Sequence, residues 1–399
     1  MSILYITYDG LMEPLGQSQV FQYLRKLAEE HQIILVSYEK PEDWSDIAQR
    51  NDLIDKVRQA GIRWLPLRYH KRPSAPATAY DLAVGFVVCA YLVVRHRIQI
   101  VHARSYVPSV LALSLKRLFG TRFIFDMRGF WPDERVDGGQ WSKDSRLYKL
   151  AKWFEQRFLT QADVVVSLTH AGVATMLEFP YLREQMPRFE VIPTCTNLEI
   201  FHPRLRTEAG QHKPFTVGYV GSVRAWYLFD PALECFKVLR KLRADAQLLI
   251  LNRGDHGYIR ERLEATGISE DWIELKTVGH AKVAEEMSRM DVGIFFIKPV
   301  FSKRGSAATK LGEFLGCGIP CLSNAGVGDM EQILAGENVG VVLREFTQPA
   351  QAAAVEQLLE LVGEPQIRER CVAVASRYFS LEDGVKSYNQ IYCSLKLGQ

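Results

Sequence analysis

The chain has 399 residues, a hydrophobic fraction of 47% and a formal net charge of +3 at pH 7. A single hydrophobic core stops growing near ~250–300 residues, so this length predicts two domains. The average composition excludes a disordered, collagen-like or coiled-coil chain. The small net charge is spread along the sequence, so it gives no indication of a nucleic-acid-binding protein.

The seven cysteines are an odd number, lie far apart and are mostly flanked by apolar residues. This pattern predicts buried, reduced thiols in a cytoplasmic protein. Cys317 and Cys321 lie close together, but no second Cys or His pair has metal-ligand spacing, so no metal site is expected. Met1 leads directly into a strand-like run without the features of a signal peptide.

The longest apolar run, Leu82 to Val94, has ~13 residues, fewer than the ~18–20 that a membrane-spanning helix requires. Lys71 and Arg72 precede it, and Arg95, His96 and Arg97 follow it. It could be a core helix with solvated ends. It could also be an interfacial helix whose cationic ends contact anionic headgroups at the inner face of the cytoplasmic membrane, which would suit a lipid-linked acceptor.

Short β-rich runs alternate with longer helical stretches, a rhythm typical of parallel sheets covered by helices on both faces. The first series of predicted strands is Ile3–Thr7, Ile33–Ser37, Trp64–Leu67, Ile98–Ala103, Arg122–Asp126, Val164–Leu168 and Val191–Pro193. The second series is Phe215–Val220, Leu248–Leu251, Ile273–Lys276, Val292–Ile297, Cys321–Ser323 and Gly340–Val342. We therefore predict an α/β protein with two Rossmann-like, doubly wound parallel-sheet domains.

The domain boundary is predicted at a polar linker between Pro203 and Pro214, because prolines discourage helix on both sides. The first domain would cover residues 1–203, and the second would cover 214–378. Residues 379–399 carry apolar side chains at helical spacing. They can form a final helix that leaves the second domain and packs on the first.

Ligands of open α/β sheets bind beyond the carboxyl ends of the strands, so the loops there are candidate sites. The loop after the first strand contains Gly10 and Gly16 and precedes a helix predicted to begin near Val20. Gly16 could let a phosphate approach the free amides of that helix, or it could serve only a structural turn. The glycine spacing is not G-x-G-x-x-G and no acidic residue is recognised at the end of the second strand, so no dinucleotide cofactor is predicted.

A second candidate loop, Asp126–Arg135, combines carboxylates, guanidinium groups and aromatic rings directly after a strand. Arg128 is placed for an oxyanion, and Asp126 or Glu134 for a sugar hydroxyl or a proton. Surface ion pairing is the alternative. The predicted acceptor-binding residues are those of this loop and of the neighbouring strand end: His102, Arg104, Trp131 and Glu134.

A third loop, Gly218–Arg224, runs from the first strand of the second domain into a glycine turn. The guanidinium of Arg224 could hold a diphosphate above the amides of Gly221 and Ser222. The alternative is an ordinary strand-to-helix turn.

A fourth segment, Ser306–Pro320, predicts a short helix with Ser306 as its N-cap and Gly318 as its stop. Amides near Ala307 and Ala308, together with the ammonium of Lys310, could bind a diphosphate through dipole and charge.

Thr309, Lys310 and Glu313 lie on one face of that helix. The Glu313 carboxylate could accept hydrogen bonds from two vicinal ribose hydroxyls. The alternative is a surface ion pair between Lys310 and Glu313.

These stretches resemble the retaining glycosyltransferase family 4, which has the GT-B fold. The residues that carry the resemblance lie in both domains: Phe125–Trp131, Tyr219–Ser222, Thr309–Leu315 with Gly318 and Pro320, Asn324–Asp329 and Phe379–Glu382. The resemblance implies two Rossmann-like domains facing a cleft, and metal-independent transfer of a sugar from a nucleotide diphosphate with retained anomeric configuration. By similarity, Glu313 would hold the donor ribose, and Gly16 and Arg224 would lie near the diphosphate.

The chain departs from the family pattern at three places. Gly305 stands where the family has the first glutamate of its E-x7-E motif, so sugar contacts are expected from the backbone of Lys303–Ser306. No lysine follows Arg224 at the usual position, so Lys310 is expected to supply that charge. Asp126-Met127-Arg128 lacks the histidine often found in that loop, which leaves the catalytic helper open.

The predicted catalytic residues are Asp126, Arg128, Arg224 and Lys310. The expected reaction is transfer to a glycan or lipid-linked acceptor in cell-surface polysaccharide biosynthesis, by same-face substitution and without a cofactor. A sugar-nucleotide epimerase or hydrolase on the same scaffold remains an alternative. So does a non-catalytic nucleotide-sugar binding protein that lost its activity with the glutamate at Gly305.

Overall fold

The computed structural model describes residues 2–70, 72–204 and 214–397. It divides into two compact units. The first unit contains the chain up to Pro193 together with the chain from Leu381 onward, and the second contains Thr194–Ser380.

Within the described residues, the first unit contains a sheet of seven parallel strands in the order β3-β2-β1-β4-β5-β6-β7. The strands are β1 (Ser2–Thr7), β2 (Gln32–Glu39), β3 (Arg63–Arg68), β4 (Ile100–Arg104), β5 (Arg122–Asp126), β6 (Val164–Ser167) and β7 (Arg188–Val191). Every residue of β4 is buried, as expected for a central parallel strand covered on both faces.

Helices cover both faces of this sheet. The α-helices of the first unit are Pro14–Gly16, Gln22–Leu27, Pro41–Trp44, Ile47–Gln59, Ser74–His96, Tyr106–Phe119, Trp131–Asp137, Arg146–Gln161, His170–Leu177 and Leu381–Leu397. A π-helical segment covers Gln17–Phe21, and a 3-10 turn covers Pro180–Leu182.

The described part of the second unit has a sheet of six parallel strands in the order β10-β9-β8-β11-β12-β13. The strands are β8 (Thr216–Val220), β9 (Gln247–Leu251), β10 (Ile273–Lys276), β11 (Val292–Ile294), β12 (Cys321–Asn324) and β13 (Gly340–Leu343). Its α-helices are Phe229–Leu242, His256–Ala265, His280–Met287, Thr309–Gly316, Met330–Gly336, Gln348–Gly363 and Ile367–Phe379. Short 3-10 turns cover Glu270–Trp272 and Phe301–Gly305. The predicted fold class of two doubly wound parallel-sheet units is confirmed.

The division between the units lies earlier in the chain than the predicted linker. Most of that linker, residues 205–213, lies outside the described residues. Thr196 pairs with Ser380, and the buried ring of Phe201 belongs to the core of the second unit. The chain therefore enters the second unit soon after Pro193.

Two helices begin elsewhere than the sequence suggested. The helix after β1 begins at Pro14 and not near Val20, because Pro is well suited to the first helical turn. In the second unit, the short helix begins at Thr309 with Ala308 at its N-cap, so the prediction of Ser306 as N-cap is wrong. Ser306 instead follows the 3-10 turn of residues 301–305.

The helix Ser74–His96, called here the surface helix, is longer than the apolar run from Leu82 to Val94 that predicted it. Three alanines and Tyr80 help to extend it on the amino-terminal side of Leu82, so the expectation that it is too short to cross a membrane is wrong. By length and composition it is the one helix among the described residues that could cross a membrane, although only about a third of it is buried. Lys71, one of the flanking cations, lies outside the described residues.

Candidate functional site

Each sheet reverses its strand order once, and the reversal points to the place where a ligand binds. In the second unit the reversal lies between β8 and β11. Ligands of open α/β sheets bind at such a point, beyond the carboxyl ends of the strands. The turn at Gly221 follows β8, and the chain after β11 leads to the helix Thr309–Gly316, called here the lysine helix.

Lys310 is the outstanding residue of the lysine helix. Its side chain is buried, with only 7% of the residue exposed. The Nζ atom lies over three aromatic rings, 3.8 Å from the ring centre of Tyr227, 5.3 Å from that of Tyr219 and 5.4 Å from that of Phe295. Among the described residues, this Nζ has no hydrogen-bond partner. The site therefore holds a cationic group without an acceptor.

An ammonium in this position is costly for the free protein. A buried charge loses several kcal/mol of hydration. Contact of the ammonium with the aromatic ring faces offsets about 0.5–2 kcal/mol of this cost. The amino-terminal end of the helix disfavours a cation. Burial accordingly lowers the pKa of Lys310 to about 7, although the Glu313 carboxylate acts in the opposite direction. A bound anion would supply the missing acceptor.

Glu313 lies one helical turn beyond Lys310, as the sequence predicted, and its side chain is half-buried. Loss of hydration raises the pKa of Glu313 to about 7, against the effect of the neighbouring Lys310 charge. The surface ion pair considered as an alternative does not form within the described residues: the two side chains make no salt bridge, and Lys310 Nζ is unpartnered. Both groups remain available to a ligand.

The turn at Gly221 lies against this lysine. Gly221 has φ +97°, and a Cβ placed on it would lie 3.3 Å from Lys310 Nζ. Its amide donates to the Leu251 carbonyl, and its carbonyl accepts from Asn252 Nδ2 at 2.9 Å. The turn therefore requires glycine for its backbone conformation. Sequence reasoning missed Asn252, which could have been noticed as the first polar residue after the apolar strand β9.

A small cavity of about 280 Å³ opens beside the same turn. Apolar side chains form much of its wall, and backbone groups of two loops complete it. The lining residues are Val220, Gly221, Ser222, Leu251, Asn252, Arg253, Gly254, Asp255, Val278 and Val283. Its apolar walls and few polar groups are typical of a small-molecule site.

Arg224 and Ser222 do not join Lys310 in the way the sequence predicted. The Arg224 guanidinium is more than half exposed, lies 3.1 Å from Asp255 Oδ1 and stacks on the Tyr258 ring. Ser222 is exposed, and its hydroxyl accepts a hydrogen bond from the Arg224 amide. In this arrangement Lys310 Nζ lies against the Gly221 turn, and the role assigned to Arg224 requires its side chain to move.

In the first unit, Asp126 ends β5 inside a buried polar cluster. The residue is 1% exposed. Tyr388 of the last helix donates a hydrogen bond to Asp126 Oδ2 at 3.1 Å, His102 Nε2 lies 3.6 Å from the same oxygen, and Arg128 Nη1 lies 3.8 Å from Oδ1. Burial alone would raise the pKa of Asp126, but the Arg128 charge and the His102 contact outweigh it, and the pKa lies below its usual value. Asp126 is therefore a buried anion whose carboxylate contacts Tyr388, His102 and Arg128.

Arg128 follows in a tight, strained turn. Its φ is +60° and that of Gly129 is +115°. A left-handed conformation is unfavourable for a residue with a side chain and persists only where the surroundings impose it. The Asp126 carboxylate holds the Arg128 guanidinium, and the Met127 amide donates to the Val166 carbonyl. The strain marks this loop as a functional candidate.

His102 and Arg104 are also buried, so they lie behind the loop instead of on its surface. His102 Nδ1 and the Tyr392 hydroxyl share a hydrogen bond of 2.7 Å, and burial lowers the pKa of His102. Arg104 Nε lies 3.5 Å from Asp9 Oδ2. The helical spacing of the final segment placed Tyr388 and Tyr392 on a buried face, but no local signal linked them to β4 and β5.

Trp131 and Glu134 lie on the helix that follows this loop, and both are half-buried. The Trp131 ring packs against Tyr106 and Trp141, and the Arg135 guanidinium covers it. An aromatic ring partly open to solvent is suited to packing against a sugar ring, so the acceptor-binding role of Trp131 stays a prediction.

Gly16 lies inside the first helix and not in a loop. A Cβ at this position would lie 2.1 Å from the Gly10 carbonyl oxygen, so glycine is required by backbone packing. The loop before it is held by Glu39, which accepts from the amides of Leu11 and Met12. Glu39 is the acidic residue at the end of β2 that sequence reasoning overlooked, and it organises the loop directly.

Residues 17–194 match the family model described as a glycosyl transferase 4-like domain. No curated protein matches the sequence significantly. Among solved structures, the chain is similar to a sucrose-phosphate synthase from Thermosynechococcus elongatus, at 14% identity, with 100% of both chains covered and a TM-score of 0.72.

Two further structures are similar over nearly their whole length. One is HepE of Anabaena in complex with UDP and glucose, at 14% identity, with 99% of this chain and 100% of that chain covered and a TM-score of 0.68. The other is WaaG, described as a glycosyltransferase involved in lipopolysaccharide biosynthesis, at 14% identity, with 98% and 99% covered and a TM-score of 0.62.

Proposed function

We propose that the chain is a glycosyltransferase, because residues 17–194 match a glycosyl transferase 4-like domain and the fold is similar to that of solved glycosyltransferases. It transfers a sugar from a nucleotide diphosphate sugar to a glycan or lipid-linked acceptor, with retention and without a divalent metal. The reaction belongs to cell-surface polysaccharide biosynthesis at the inner face of the cytoplasmic membrane. The observation that carries the proposal is the unpartnered, buried Nζ of Lys310 beside the Gly221 turn.

The second unit supplies the donor contacts. Lys310 and the first amides of the lysine helix bind the diphosphate, because charge and helix dipole both favour an anion there once it is present. One turn further along the lysine helix, the Glu313 carboxylate accepts hydrogen bonds from the ribose hydroxyls. The cavity beside Gly221 receives the base, since a flat ring suits apolar walls of this size. The solved HepE complexes contain UDP and UDP-glucose, which supports a nucleotide diphosphate as the ligand class.

Catalysis consists mainly of stabilising the charge that develops on the leaving diphosphate. In the proposed same-face substitution, the acceptor oxygen bonds to the anomeric carbon as its bond to the phosphate oxygen breaks. The acceptor proton passes to the departing phosphate oxygen. The burial of Asp126 supports this route, because a carboxylate that faces Tyr388 and Arg128 is poorly placed as a nucleophile. Trapping a glycosylated Asp126 or Glu134 would overturn it.

A transferase differs from a hydrolase or an epimerase in whether it converts the donor when no acceptor is present. A transferase leaves most of its donor intact until an acceptor is added. Incubation with donor alone, followed by chromatography of nucleotide products, separates the reactions.

A nucleotide sugar is expected to raise the melting temperature of the protein. A ligand at 100 times its Kd stabilises the folded state by about 2.7 kcal/mol. A thermal-shift panel of UDP-, GDP- and ADP-glucose should therefore identify one base class. Glu313→Gln should reduce that shift strongly, whereas Glu264→Gln, at an exposed position of the same unit, should not. Three nucleotide sugars without any shift would argue against the proposed function.

Donor affinity is expected to be highest near pH 7. Lys310, with a pKa of about 7, must gain a proton to hold the diphosphate, so affinity falls as the pH rises above 7. Glu313, also with a pKa of about 7, must lose a proton to accept ribose hydroxyls, so affinity falls below pH 7 as well. Calorimetric titration in buffers of different ionisation enthalpy should show proton uptake at pH 8 and release at pH 6. Lys310→Met should abolish the uptake at pH 8, and an unchanged uptake would contradict this assignment.

A further inference from the structure

Three helices of the first unit lie side by side on one face of its sheet. The surface helix packs against Tyr106–Phe119, and that helix packs against Arg146–Gln161. Buried residues of all three belong to the same hydrophobic core as the strands, among them Cys89, Leu115 and Phe158. Their opposite sides form the outer surface of this layer, called here the three-helix face.

The three-helix face exposes an unusual amount of apolar surface. Val87, Tyr91 and Val94 of the surface helix are 67%, 62% and 65% exposed. The exposed apolar side chains of the surface helix recur at intervals of three and four residues and so form one stripe along it. The large exposed apolar residues on the three helices are Tyr80, Val84, Val87, Tyr91, Val94, Leu118, Phe119, Leu147, Leu150 and Trp153.

The exposed charges on these helices are of one sign. Asp81 and Glu155 are their sole acidic residues, and both are buried. Asp81 accepts from Tyr8 and pairs with His70, and Glu155 pairs with Lys152 and accepts from Tyr106. The exposed charged residues of the three helices are Arg95, Arg117, Arg146, Lys149 and Arg157. The outer surface therefore presents apolar and basic groups without an exposed acid.

We infer that the three-helix face docks on an anionic lipid bilayer, with its apolar side chains in the interfacial region and its arginines and lysine on the headgroups. This combination is typical of elements that lie in the plane of a membrane. Tyrosine and tryptophan side chains, such as Tyr91 and Trp153, are well suited to the headgroup level. The bilayer would then be the surface on which the proposed transfer to a lipid-linked acceptor takes place, and that biological role rests on the proposed function.

The charge pattern decides between the occupants of this face. A second copy of the chain would bring two uniformly basic surfaces together, which like charges disfavour. If a nucleic acid bound here, the apolar side chains of Val87, Tyr91 and Val94 would face a charged phosphate backbone, which offers no apolar surface to pack against. An anionic bilayer matches both the charge and the apolar groups.

The surface helix lies on the bilayer in this assignment and does not cross it. Its inner side, which includes Asp81, Cys89 and Leu92, is buried in the core of the first unit. Crossing would expose the Asp81 carboxylate to hydrocarbon and remove its contacts with Tyr8 and His70. Peripheral docking leaves that packing intact.

The test is co-sedimentation of the full-length protein with vesicles. Binding is expected to vesicles of phosphatidylcholine with 30% phosphatidylglycerol, with binding to phosphatidylcholine alone at least about tenfold weaker. Val87→Glu with Val94→Glu, and separately Arg146→Ala with Lys149→Ala and Arg157→Ala, should each reduce the affinity by about tenfold or more. The matched control is Ile47→Glu with Lys56→Ala and Arg58→Ala, on an exposed helix of the same unit, and it should bind as the natural chain does.

Two results would overturn the inference. One is that the natural chain does not bind anionic vesicles, or that the Val87 and Val94 substitutions leave its binding unchanged. The other is a dimer of the natural chain that these substitutions convert to a monomer, which would assign the face to a second copy. The thermal shift with a nucleotide sugar serves as the folding control and should be the same in all variants, so failure of vesicle binding is distinguishable from failure of the proposed function.

Discussion

Replacing Lys310 with methionine is expected to lower kcat/KM by about 100–1,000-fold without unfolding the protein. Loss of one preorganised group that stabilises developing negative charge typically costs about 2.7–4 kcal/mol of transition-state stabilisation. Methionine has a similar length and suits the space among Tyr219, Tyr227 and Phe295. Because the natural side chain is a buried cation without an acceptor, an apolar replacement should leave the melting temperature unchanged or raise it.

The measurement compares kcat/KM and thermal unfolding for Lys310→Met and a matched control, Lys241→Met. Lys241 is an exposed lysine of the same unit, so its replacement should change neither quantity noticeably. Activity within threefold of the natural enzyme would show that Lys310 does not hold the diphosphate. A large fall in melting temperature would instead show that its ammonium has a structural partner in the folded state.

Asp126→Asn is expected to destabilise the first unit by about 3–5 kcal/mol, because removing one partner of a buried charge cluster leaves the other charges uncompensated. The Arg128 guanidinium and the buried Arg104 would lose their neighbouring anion, while Tyr388 could still donate to the amide oxygen. For a unit of this size, the loss corresponds to a fall in melting temperature of roughly 6–20 °C. Asp52→Asn, at an exposed position of the same unit, is the control and should have little effect.

The pH dependence of stability gives a second readout for Asp126. Its pKa in the folded protein lies below the ordinary value, so the ionised carboxylate contributes stability that is fully present above the unfolded pKa, near 4. That contribution is lost as the pH falls through the folded pKa. Asp126→Asn should therefore show a weaker loss of stability on acidification than the natural chain. Unchanged stability combined with a large loss of kcat would instead assign Asp126 a direct part in the chemistry.

Much of the architecture was predictable because the signals are local. All thirteen predicted strands overlap strands in the described structure, since apolar runs bounded by turns identify parallel strands covered on both faces. The predicted glycine turn at Gly221 and the helical spacing of Lys310 and Glu313 follow from the same local rules. Helix starts were less accurate, as Pro14 and Thr309 show, because several neighbouring residues can cap a helix.

The sequence by itself determined the two doubly wound units and the loops that follow their strands. Only the tertiary structure decided what each charged side chain in those loops faces. It buried Lys310 among aromatic rings, turned Arg224 toward Asp255 and enclosed Asp126 with Tyr388. The physical reason is that strand and helix formation depend on neighbours a few residues apart, whereas the burial and pairing of a charge depend on residues brought together from distant parts of the chain.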